Sequence, residues 1–439
     1  MKYLEKRNKN LITLFIFIIL GVSLFFFWTR MVQELKVPAD GYFDISFNII
    51  NKGVFSLQKP NLETDVTPTM RRAPGYPYFL SSLITIFNLE KLQNKCLLKK
   101  ECDRFLKYIS FIFSFMCILS IVFLFLTCQL LGANSLASVF VSIIAMIIVS
   151  KEIIINYNSE SLSLFLFSIS SYFLASFVKT QKKKEILLFS ICLSLLILTR
   201  NVFLYFIPFF LIVILICGST KKNKIKQKVI NFLIFALTLI FLISPWMLRN
   251  NFIFHSYSIA KSGSVKVLSN RYEHNNMSNK EFLGGFLYWA PIPGIKGFVE
   301  RKIPREYWKR YDTESEDGFR VVARRNAEKL IQNRNYSEIK IYILKKILSD
   351  PIQNFKVSIL MGWRGLKYCF IFFPFFILFF IKNSKNTFYL GIFSLTIFNL
   401  LFHSLFTHFN VRYGYPMVYG FAVSTALYFS MRIKKCTKF

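Results

Sequence analysis

The chain has 439 residues, 54% of them apolar, with 52 Phe and a formal net charge of +33. Its apolar residues fall in long runs rather than at helical or strand spacing, which excludes a single soluble core; runs of about 18 residues are long enough to cross a bilayer. The basic excess sits in short clusters between those runs, a placement that reports orientation in a membrane and argues against a nucleic-acid surface.

In chain order, MKYLEKRNKN and the following LITLFIFIILGVSLFFFW begin like a signal peptide. The apolar stretch is long for one and lacks a small-x-small cleavage site, so an uncleaved first span is expected at 11–28. Further spans are expected at 105–131, 133–150, 160–178, 186–199, 202–218, 229–247, 366–382, 387–405 and 413–431. With about ten spans, KRNKN, KTQKKK at 179–184, STKKNKIKQK at 219–228, KNSKN at 382–386 and the tail RIKKCTKF all fall on one side, the cytoplasmic one. The apolar stretch 73–89 is read as an interfacial or re-entrant helix, because a crossing there would invert every later cluster and Pro74 and Pro77 break its first turn.

This divides the chain into an N-terminal transmembrane module, 1–248, an extracytoplasmic subdomain, 249–365, and C-terminal transmembrane helices, 366–439. The module carries its own outward loop, 29–104, and a polar stretch as long as 249–365 is expected to fold over the membrane. The expected fold class is an all-α polytopic membrane protein with a mixed helical loop subdomain, in a bacterial inner membrane with both termini cytoplasmic. Cys117, Cys128, Cys192, Cys217 and Cys369 read as buried small hydrophobes, while Cys96 and Cys102 read as either a disulfide or two free thiols.

The ends of the spans on the outward side carry polar groups. Asp40 and Asp44 stand one helical turn apart above the first span, and TPTMRRAPGYP brings Arg71 and Arg72 to the same surface. Glu160 begins the fourth span, where an N-terminal acid also serves as a cap. Arg200 closes LTRN, Trp246, Arg249 and Asn250 close SPWMLRNN, and Arg412 and Tyr413 open the last span. A boundary arginine ordinarily snorkels to head groups. Five on a face where orientation does not call for them suit a phosphate, and carboxylates beside a phosphate suit acid–base chemistry. The four histidines show no ligand spacing, no metal site is read, and no phosphate loop, GxSxG or HExxH is present.

The runs ADGYFDISFNIINKGVFS, TPTMRRAPGYPYFLSSL, NYNSESLSLFLF, SPWMLRNNFIFHSYSIAKSG and RNAEKLIQNRNYSEIKIYILKKI, in that order, resemble the integral-membrane glycosyltransferases of the GT-C fold. The likeness is to bacterial relatives of protein O-mannosyltransferases and lipid A aminoarabinose transferases (glycosyltransferase family 39). It implies a polyprenyl-phosphate-linked sugar donor and a glycan, lipid or protein acceptor. On that resemblance Asp40, or Asp44 one turn later, deprotonates the acceptor, and Arg71, Arg72, Arg249 and Arg412 hold the donor phosphate. Glu160 orients the acceptor or a bound divalent cation, Mg or Mn, and Tyr76, Trp246, Asn250 and Tyr413 contact substrate. A lipid-linked sugar transporter or flippase and a glycan ligase or polymerase are the competing classes. The near absence of charge inside the spans disfavours ion-coupled transport.

Overall fold

The structure, a computed structural model, describes residues 41–59, 65–87, 102–155, 159–217, 224–261, 264–292, 294–312, 315–333, 336–408 and 410–436. The expected first span, Asp40 and Cys96 lie outside the described residues. Among those described there are helices and turns and no strand. The chain forms two compact units, one of residues up to 260 with 375–395 and 419 onward, the other of 261–374 with 396–418. The expected boundary at 249 thus falls at 261, and a stretch expected among the C-terminal spans joins the second unit.

The first unit begins with two short helices, α1 (Tyr42–Lys52) and α2 (Gly75–Ile86). The long apolar runs follow as α3 (Cys102–Leu130), α4 (Ser135–Ile155), α5 (Glu160–Thr180), α6 (Lys183–Thr199), α7 (Phe206–Cys217) and α8 (Lys224–Phe254). α5 packs against both α3 and α6, and α6 against α8. Within these helices Ser114, Ser120, Ser168, Ser190 and Ser194 each donate to the carbonyl four residues back at 2.6–2.9 Å, so a polar hydroxyl is satisfied inside an apolar helix. Cys117, Cys128 and Cys192 are buried free thiols, as expected, and so is Cys369 in the second unit.

Among the described residues three helices are long and apolar enough to cross a membrane: Tyr108–Leu130, Glu160–Thr180 and Ile225–Phe254. Their burial differs: 78% of the apolar window of α5 is buried in the protein against 22% of that of α8. α8 leaves Leu233, Leu237, Ile240, Phe241 and Leu248 exposed at helical spacing. An apolar stripe of that length facing water would be an association hazard. It is what a helix bordering hydrocarbon requires, and a membrane-embedded protein accounts for it.

The expected last span, 413–431, is one unbroken helix, Tyr415–Cys436, less apolar than those three, and several other expected spans are shorter or broken. Apolar helices occupy Ser135–Val149, Asn201–Val213 and Ser394–Phe406, and the expected interfacial helix is α2. The stretch expected to cross at 366–382 is bent instead, by 111° between Pro351–Tyr368 and Phe373–Lys382. Pro374 explains why the second piece starts afresh: it has no N–H with which to continue a preceding helix.

The second unit is built on α9 (Ser264–Asn275), α10 (Asn279–Tyr288), α11 (Ile295–Lys302), α12 (Phe319–Asn333), α13 (Tyr336–Leu348) and α14 (Pro351–Gly365). In α13, Ile339, Ile343 and Ile347 recur every four residues and bury one face against Val265 of α9 and Ala327 of α12. Each such side chain contributes about 1.5–3 kcal/mol by leaving water. α10 opens with a capping box between Ser278 and Glu281, and α14 with Asp350 accepting from the Gln353 N–H ahead of Pro351. The α9 residue Arg271 is fully buried and ties three segments together. It donates to Asn354 O and Oδ1 at 2.9 and 2.5 Å, Ser358 Oγ at 2.8 Å and Leu405 O at 3.3 Å. Burial lowers its guanidinium pKa to about 9.

Candidate functional site

The polar residues expected at span ends fall into two groups, one in each unit. In the first unit α1 starts at Gly41 and stops at Gly53, both left-handed with φ of 72° and 66°, a conformation glycine takes without a Cβ penalty. α1 and α2 are clasped by serines: Ser46 Oγ donates to Pro77 O at 3.0 Å and Ser81 Oγ to Ser46 O at 3.2 Å. Tyr42 meets the fully buried Tyr76 edge to face at 4.9 Å, and the Arg72 guanidinium lies over the Tyr42 ring at 5.0 Å. Asp44, on the same helix as Tyr42, is half-buried. Burial raises its carboxyl above the ordinary value, against the opposing pull of Lys59. A half-buried carboxyl whose pKa is raised in this way suits proton transfer.

The end of α8 abuts the same loop. Arg249 Nη1 donates to Thr69 O at 3.2 Å and to Asn250 Oδ1 at 2.7 Å, and its guanidinium lies 4.6 Å over Trp246. Trp246 Nε1 donates to Ile259 O at 2.9 Å, and Asn250 Nδ2 to Ser258 O and Ile259 O at 2.8 and 3.2 Å. The Trp246 Nε1 and Asn250 Nδ2 donors are therefore engaged with backbone, and Asn250 Oδ1 and the Trp246 ring hold Arg249. The N-terminus of α2 reaches the end of α6: a Cβ on Gly75 would meet Thr199 Oγ1 at 2.7 Å and Leu198 C at 2.9 Å. Beside that contact Glu160, at the start of α5, pairs with Arg200 at 2.6 Å, both largely buried. Arg71 is exposed, its N–H bonded to Thr69 Oγ1 at 3.2 Å. The first unit thus gathers Asp44, Arg71, Arg72, Tyr76, Glu160, Trp246, Arg249 and Asn250 around the 65–87 loop and the ends of α5, α6 and α8.

Arg412 and Tyr413 belong to the second unit, where they line a cavity of about 340 Å³. Arg310, Arg320, Arg324, Arg364 and Lys266 share it with them, as do His274 and His408, and no Asp or Glu lines it. Aromatic faces hold two of the guanidinium groups: Arg364 lies 4.2 Å over Trp289 and Arg310 4.1 Å over Phe319. Arg364 Nη1 donates to His408 O at 3.1 Å. His274 stacks on Phe319 at 4.4 Å, and its Nδ1 lies 2.7 Å from Asn270 O. Because a carbonyl only accepts, Nδ1 carries the proton and the neutral ring keeps its lone pair on Nε2. Burial, then the cations Arg364, Arg320 and Arg412, pushes His408 down to about 3. His274 is also held well below its ordinary value, first by burial.

Of this pocket only Arg412 and Tyr413 were expected. Arg364 sits in an apolar run, MGWRGLKY, where a lone guanidinium is a signal in itself. His274 and His408 are more than a hundred residues apart in sequence, so no spacing could join them. Among the described residues no three His, Cys, Asp or Glu side chains come together as a metal site, and Glu160 is engaged with Arg200. No family model matches the chain, and no curated protein matches it.

Proposed function

We propose that the protein is a membrane glycosyltransferase of the GT-C kind, with about ten spans. It moves a sugar from a polyprenyl-phosphate donor to an acceptor hydroxyl on the extracytoplasmic face of a bacterial membrane, with both termini in the cytoplasm. The observation that carries this reading is the half-buried Asp44 carboxyl, raised by burial, on the helix whose Tyr42 ring lies under Arg72. Asp40 and Asp44 are one turn apart, and Asp44 is the one whose surroundings are described; we assign it as the base.

Asp44 takes the acceptor proton as the acceptor oxygen attacks the anomeric carbon. The bond from that carbon to the phosphate oxygen breaks, the configuration inverts, and polyprenyl phosphate leaves with the bonding pair. Arg72 and Arg249 offset the charge that gathers on the departing phosphate, an interaction strongest in the transition state. No step requires a bound cation; Glu160, paired with Arg200, is the carboxylate that would hold one.

Asp44→Asn is the test. The variant should insert and express like the parent and lose transfer by at least about 10²-fold, the scale on which a general base acts. Mass spectrometry of lipid-linked sugars and surface glycans should then show accumulated donor and a missing substituent. Full transfer by Asp44→Asn, with transfer lost instead in Asp40→Asn, would move the base by one turn; full transfer by both would end the mechanism.

A further inference from the structure

The cavity of the second unit carries an assignment of its own, independent of the transfer chemistry above. Glu281 faces Arg310 at 3.5 Å, and Glu328 takes Arg324 at 3.1 Å and Lys266 at 3.4 Å, from behind the cavity wall. Arg320 and Arg364 pair with no carboxylate among the described residues. Leaving such cations together in a partly enclosed space is unfavourable unless an anion joins them.

Buried polar atoms mark where it would bind. Arg364 Nε and His408 Nδ1 are buried with no hydrogen-bond partner, as is the amide oxygen of Asn270 on the same lining. A buried donor left unmade costs about 1–3 kcal/mol, so Arg364 Nε is a position where a ligand oxygen gains what the empty site forgoes, and the neutral His408 ring can add a second donor in the tautomer with the proton on Nδ1. The guanidinium planes of Arg310 and Arg364 are already set by Phe319 and Trp289, so little side-chain freedom is lost on binding. The volume of about 340 Å³ is at the small end of ligand pockets, enough for a diphosphate or a sugar phosphate.

We propose that this pocket binds a phosphate-class anion, a phosphomonoester or diphosphate, with Arg364 and Arg320 as its principal charge partners. A monocarboxylate would leave most of the lining cations unanswered, whereas a group bearing two or three charges and several acceptor oxygens engages them together.

The test is calorimetric titration of inorganic pyrophosphate into the full chain in nanodiscs. Binding is expected to weaken by about tenfold or more in Arg320→Gln, the loss of one charge-assisted contact, and to weaken steeply with added salt. Arg320 stands on the rim and is exposed, so this variant should keep its fold; Arg364→Gln, checked by its elution profile, should show a loss at least as large. Asp44→Asn should bind pyrophosphate like the parent, which separates this proposal from the fate of the transfer mechanism. Displacement of pyrophosphate by a short-chain polyprenyl phosphate would identify a lipid headgroup as the source, and displacement by a soluble sugar phosphate a free ligand. Absence of pyrophosphate binding, or binding unchanged in both arginine variants, would overturn the assignment.

Discussion

Acid should weaken the second unit through two histidines held neutral, and His408→Gln should remove the part of that weakness that His408 carries. His408 faces Arg364, Arg320 and Arg412, with His274 also in the cavity and no carboxylate lining it. Its pKa falls from an ordinary 6.5 to about 3, so the folded protein refuses a proton that the unfolded chain accepts. The stability this provides is complete above 6.5 and is lost as pH falls from 6.5 toward 3. One group in that window contributes a slope of about 1.4 kcal/mol per pH unit, or about 2 kcal/mol by pH 5. The figure at pH 5 requires only that the folded value lie below 5, which makes it robust to the exact depression. His274 is shifted in the same direction, first by burial, and adds to the loss. Denaturant titration in mixed micelles at pH 7.5 and pH 5 would measure both. Glutamine at 408 sacrifices no hydrogen bond, because His408 Nδ1 makes none, and the bond from Arg364 is to the backbone oxygen. Equal losses between pH 7.5 and pH 5 in parent and His408→Gln would refute the reasoning.

Glu160→Ala should destabilise the first unit by about 3–5 kcal/mol, because it leaves the largely buried Arg200 without the carboxylate at 2.6 Å. Pairing it with Arg200→Met should recover much of the loss, and a double-mutant cycle on unfolding free energies would read the coupling; strict additivity would show that the pair contributes nothing. Gly75→Ala should cost about 1–3 kcal/mol by overpacking, since its methyl meets not only the Thr199 hydroxyl but also the backbone of Leu198 and Thr199, which cannot swing aside. A melting temperature unchanged by that substitution would mean that α2 and α6 approach less closely.

What could be read in the sequence was what depends on neighbours along the chain. The apolar runs of α3, α5 and α8 are long enough to name their helices from composition, and α2 was expected as a separate short helix because of its prolines. The break near 370 was signalled by Pro374, but hydropathy averaged over the window conceals it: the residues on both sides are equally apolar, and only the missing N–H differs. The arginines at the ends of helices were visible because charge stands out against such a background. Their division between two units was not, because it depends on the chain leaving the first unit near 261 and returning to it near 375.

The same distinction separates the two readings of PWMLRN. As a pattern, Trp246, Arg249 and Asn250 read as three ligand contacts. In the structure Trp246 and Asn250 donate to the backbone of 258 and 259, while Asn250 Oδ1 and the Trp246 ring hold the Arg249 guanidinium. A local motif can therefore serve one side chain, with its other members setting the angle at which that chain stands. The cationic cavity is the opposite case. His274, Arg320, Arg364 and His408 come from four separate segments, share no spacing, and acquire meaning only when tertiary packing seals a nitrogen of one beside the charge of another. A cluster of that kind leaves no trace in a local pattern, and its chemistry has to be found from atoms that have been buried without a partner.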